Sequence, residues 1–156
     1  MNSSVAVLSE KDLAFLPSYK DAESSLLSES DSPETIFINP AFPQPPWAYK
    51  VLSKTNDLLN LNLAWDSYSA IAIQKKSVEK MLDILFSLAS STTPAPSLVP
   101  LPDGGVQIEW HDGTRDLELS FQSDGNLSAY YFSPEKELEQ ANPSRELIKE
   151  LILKIH

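Results

Sequence analysis

The chain has no cysteine, two histidines and four glycines in 156 residues, and 12 Lys+Arg face 22 Asp+Glu. Without cysteine there are no disulfides and no thiolate metal sites, so a zinc site would have to lean on carboxylates beside His111 or His156. The shortage of basic residues leaves a formal charge of −10 at pH 7. Such a charge repels phosphate backbones and anionic lipid, which argues against direct nucleic-acid or membrane binding. No apolar run approaches the roughly 18 residues of a membrane span, and the opening MNSSVAVLSEKD lacks the basic and apolar regions of a signal peptide. The expectation is a cytoplasmic protein. HExxH, GxSxG, Walker and GxGxxG patterns are all missing, so no cofactor, metal or catalytic residue is assigned from a motif.

The glycines carry the organisation. They fall at Asp103-Gly104-Gly105, Asp112-Gly113 and Asp124-Gly125, about ten residues apart, with apolar residues alternating between them. Asp-Gly readily takes the positive φ of a tight hairpin turn, so residues 97–132 are expected to form an antiparallel meander of three to four strands. Residues 1–45 hold seven acidic and two basic groups, are rich in serine and run into NPAFPQPPW, where proline cannot continue a helix or donate to a ladder. They read as an acidic Ser/Pro-rich leader, partly disordered or ordered by a partner. SEKDLAFL, with Ser9 as N-cap, and the apolar ETIFIN are the two short elements it offers. Residues 46–156 read as a single domain.

Three helices are expected around the meander. Pro45 and Pro46 open one over about 47–61, with Trp47, Val51, Leu52, Thr55, Leu58 and Leu59 on one stripe. Ser77 as N-cap starts a second over 77–91, and Asn142 as N-cap with Pro143 at N1 starts a third over 143–155. The fold class is therefore α+β, a meander covered on one face by helices.

Paired residues in a sheet share a face, and this sets a register. A two-residue Asp112-Gly113 turn pairs Ile108 with Leu117 and Val106 with Leu119. A three-residue Ser123-Asp124-Gly125 loop pairs Phe121 with Leu127, Leu119 with Ala129 and Leu117 with Tyr131. The proline-bearing strand before Gly104 is confined to an edge, with Val99 and Leu101 inward. Gln107, Glu118 and Tyr130 then form one outer row, and Glu109, Asp116 and Phe132 the next. These six residues are the candidate partner-binding surface, acidic and carrying two aromatics.

Between the first two helices lies WDSYSA. Trp65 and Tyr68 have apolar bodies with polar tips suited to plugging a gap between helices and sheet, and Asp66 is suited to capping its own turn. With Trp110 they form a candidate structural latch. The alternative is a small metal-dependent or hydrolytic enzyme using Asp66, Glu109 and His111, which requires those side chains to converge.

The runs LNLAWDSYSAIAIQKKSVEKMLDIL, TPAPSLVPLPDGGVQIEWH and DGTRDLELSFQSDGNLSAYYF resemble a group of small uncharacterised bacterial proteins, frequent in cyanobacteria, that share a WDSYGA-like box followed by GGVQLEWH and DLEIEI. Trp65, Asp66, Tyr68 and Ala70 match the first box and Gly104 to His111 the second; Ser69 stands where that group usually has glycine. The resemblance implies a small accessory protein, an antitoxin-like or immunity-like partner of a co-encoded protein, with no activity to transfer. The functional expectation is an acidic interaction or regulatory protein, with an enzyme as the alternative.

Overall fold

The computed structural model describes Ile36 and residues 44–155. The order is α1 (Ala48–Leu59), α2 (Lys75–Leu88), β1 (Ser97–Pro100), β2 (Val106–His111), β3 (Asp116–Phe121), β4 (Leu127–Ser133), β5 (Lys136–Ala141) and α3 (Arg145–Ile152). The strands form one antiparallel sheet in the order β1-β2-β3-β4-β5. The class is α+β and the arrangement a meander, as the turn spacing requires. The sheet has five strands rather than three or four. The additional strand, KELEQA, has a single large apolar residue, Leu138, which faces Tyr131 on the inner side. Its Lys and Glu content is poor in strand propensity, and pairing with β4 overrides that.

Alternation in β2, β3 and β4 turns Val106, Ile108, Trp110, Leu117, Leu119, Phe121, Leu127, Ala129 and Tyr131 inward, all of them buried. Against this face α2 packs on β2 and β3, α1 lies along β1, and α3 packs against α2. The apolar stripes Val51, Thr55 and Leu58 of α1, Val78, Met81, Leu82 and Leu85 of α2, and Ile148, Leu151 and Ile152 of α3 complete the core. Arg145 of α3 bonds Asp83 of α2 at 2.9 Å.

The second hairpin has the expected register, Phe121 with Leu127, Leu119 with Ala129 and Leu117 with Tyr131. The first is displaced by two residues: Ile108 pairs with Leu119, Trp110 with Leu117 and Val106 with Phe121. Its tight turn is Gly113-Thr114, closed by Asp112 N–H donating to the Arg115 carbonyl at 3.1 Å. Asp112 Oδ1 accepts from the Thr114 and Arg115 amides at 3.0 and 2.8 Å, which makes Asp112 the residue flanking the turn instead of the first turn residue. A shift of two keeps every side chain on its face, so the core is unchanged while the outer rows are reshuffled. On β1 the faces are reversed from expectation: Leu98 is inward beside Ile108, and Val99 is outward beside Gln107.

Helix starts differ as well. Gln74, not Ser77, precedes α2; Ser77 is buried in the first turn and its hydroxyl donates to the Gln122 carbonyl at 3.3 Å. Ser144, not Asn142, caps α3, its Oγ accepting from Leu147 N–H. Asn142 instead adopts φ +46 and bonds Leu127 twice, donating its N–H to the carbonyl at 2.7 Å and accepting the amide at Oδ1 at 3.2 Å. The Ser9 helix lies outside the described residues. Of ETIFIN, only Ile36 is described: buried, outside any strand, with its N–H and C=O held by the Asn56 side chain of α1.

Candidate functional site

With the inner face filled, chemistry is left to the outer face of the sheet. The register places Ser97, Glu109, Glu118, Tyr130 and Glu139 in one row, His111, Asp116, Phe132 and Glu137 in the next, and Val99, Gln107, Ser120, Ser128 and Ala141 in the third. Across these positions there are five carboxylates and one imidazole, and neither lysine nor arginine. Gln107, Glu109, Asp116, Glu118, Tyr130 and Phe132 all lie on this face. The sequence reading missed Glu137 and Glu139, although the pattern Glu-Leu-Glu, acidic with period two around one apolar residue, was the available signal.

Glu109 and Glu118 stand directly opposite each other, an unfavourable pairing of like charges. Gln107 bridges them, its Nε2 donating to Glu109 Oε1 at 2.6 Å and to Glu118 Oε2 at 3.3 Å, while its Oε1 accepts from Ser120 Oγ at 2.6 Å. His111 sits between two acids, with Nδ1 2.8 Å from Asp116 Oδ1 and Nε2 3.3 Å from Glu109 Oε2. The hydrogen bond to Asp116, then that to Glu109, raises the imidazole above its ordinary value. The Tyr130 hydroxyl donates to Glu137 at 3.2 Å, and desolvation followed by the Glu137 charge pushes its phenol up. The surface is thus hydrogen-bonded within itself yet retains a strong negative field.

The WDSYSA box lies between α1 and α2. Asp66 Oδ1 accepts from the Tyr68 and Ala70 amides at 2.9 and 3.2 Å. Ala64 and Ser67 take positive φ there, and Ser69 does not. Tyr68 is not a plug: it is 87% exposed. Trp65 is half-buried with a buried indole N–H that has no partner among the described residues. Trp110 is 2% exposed and donates its indole N–H to the Pro94 carbonyl at 2.8 Å. The box docks onto the β1–β2 turn through the chain that follows it, Ile71 N–H to the Pro102 carbonyl at 3.0 Å and Gln74 N–H to the Gly104 carbonyl at 2.8 Å.

The structure brings Glu109, His111 and Asp116 together. Asp66 is committed to its own turn, and the β1–β2 turn on which its loop docks lies at the far end of β2 from His111, about 17 Å along the strand. Among the described residues no group of three or more His, Cys, Asp or Glu is arranged to hold a metal ion, and no helix is long and apolar enough to cross a membrane. Comparison with protein-family models, with curated proteins and with solved structures returns no match.

Proposed function

We propose that this chain is a small acidic protein-interaction module that docks a basic partner protein on the outer face of its sheet and regulates it, as an antitoxin-like or immunity-like partner of a co-encoded protein would. The observation that carries this reading is the predominantly acidic outer face: Glu109, Asp116, Glu118, Glu137 and Glu139 against one imidazole, His111, with no lysine or arginine among the residues that share it. A field of one sign attracts an oppositely charged partner and speeds its encounter more than it strengthens the final complex. Phe132, 39% exposed, and the half-buried Tyr130 supply apolar area at the centre of that field.

The test is charge reversal. Glu109→Lys with Glu118→Lys should leave the fold intact, since solvent-face changes usually alter stability by no more than about 0.5 kcal/mol. With the partner co-purified from the native host, the association rate should fall and lose its salt dependence. Equal association rates for wild type and variant at low and at high salt would refute the docking face.

A further inference from the structure

Among the described residues, β5 presents an outer edge open to addition. Gln122 N–H donates to the Asn126 carbonyl at 3.0 Å, and Asn142 N–H donates to that of Leu127 at 2.7 Å. In an antiparallel ladder hydrogen-bonded and non-hydrogen-bonded pairs alternate, so these two bonds assign every backbone group of the last hairpin. Lys136, Leu138 and Gln140 bond β4. The N–H and C=O of Glu137, Glu139 and Ala141 point away from the sheet, and all three residues are exposed.

The opposite edge is interrupted by proline and partly occupied. By the same alternation, Leu101 N–H to the Gly105 carbonyl leaves Leu98 and Pro100 facing outward on β1. Pro100 has no N–H to offer, and the next outward carbonyl, that of Pro102, is taken by Ile71 N–H.

We propose that β5 accepts an extended segment of the partner as a sixth, antiparallel strand, with lysine or arginine at alternate positions. This rests on reading the outer face as the surface for a basic partner. A residue directly opposite Glu137 or Glu139 shares their face, so cationic side chains two apart pair with both carboxylates. The intervening side chains lie on the face of Leu138, where small apolar groups fit. A second copy of this chain is the wrong occupant. The two antiparallel registers of greatest overlap set Glu137 opposite Glu139, or Glu139 opposite its own counterpart, like charges in either case.

The probe is a short capped peptide alternating lysine with valine and threonine, mixed with the full chain. The controls are the same residues with the lysines in one block, and the alternating peptide N-methylated at its lysine amides. The alternating peptide should bind and slow hydrogen exchange at the Glu137, Glu139 and Ala141 amides, and N-methylation should abolish both effects. Ala141→Pro removes one outward N–H while keeping both glutamates and every bond to β4, and it should weaken binding about five- to tenfold. Circular dichroism checks its fold. If the block and N-methylated peptides bind as well as the alternating one, or if none binds, the sixth strand is overturned. The association assay on Glu109 and Glu118 judges the docking face independently.

Discussion

Gly104 and Ala72 meet across the fold so closely that a Cβ on Gly104 would stand 2.8 Å from the Ala72 carbonyl oxygen. The same atom would press on the Ile71 side chain at 2.9 Å, and Gly104 holds φ +82. Here the loop after WDSYSA is laid against the β1–β2 turn, so the glycine answers to a tertiary contact as well as to its turn.

Gly104→Ala should therefore combine left-handed strain with a backbone clash. Gly113 has a similar φ, +91, and open space around its missing Cβ. Gly113→Ala should cost about 1–2 kcal/mol from strain alone, and Gly104→Ala about 3 kcal/mol or more. Denaturant titration of the two variants checks the order; equal losses would show that the contact with Ala72 contributes nothing.

The two indoles separate burial from satisfaction. Trp110 is buried and bonded to Pro94, so Trp110→Ala should cost about 3–5 kcal/mol. Trp110→Phe, which removes the donor to the exposed Pro94 carbonyl, should cost about 0.5–1.5 kcal/mol. Trp65 keeps a buried N–H without a partner among the described residues, so Trp65→Phe should be close to neutral or stabilising. Thermal unfolding of both phenylalanine variants is the measurement.

His111 gives the outer face a pH dependence. Folding raises its pKa, so the native state favours the imidazolium. That contribution is full below the ordinary value of 6.5 and fades as pH rises through the higher folded value. Because the imidazole is half exposed, solvent screens the effect and the stability change should be small. Asp116→Asn combined with Glu109→Gln should lower the His111 titration midpoint, which nuclear magnetic resonance of the imidazole protons reads directly. An unchanged midpoint would mean the two carboxylates do not hold the proton there.

Much of the fold was legible because it depends on local rules. Asp-Gly steps mark hairpins wherever they fall between alternating runs, and the 3.6-residue stripes of the three helices locate the core face without reference to one another. Face assignment in β2, β3 and β4 survived even where the register did not, since a displacement of two residues preserves alternation. The candidate site was legible as a face but not in its full rows. Its six residues do share a face, but their neighbours were misplaced, because the position of the first turn hung on the Asp112 carboxylate capturing the amides of Thr114 and Arg115.

The antiparallel meander, the three amphipathic helices and an acidic surface each follow from turn chemistry, periodicity or charge within a short window. The rest depends on contacts between distant segments. KELEQA became a strand because β4 offered a free edge with Tyr131 waiting for Leu138. Asn142 gave up the helix cap to bond Leu127, and Tyr68 turned outward while Trp110 filled the core. In each case the competing local preferences differ by about 1 kcal/mol or less, and burial or the satisfaction of a backbone group by a distant partner outweighs them.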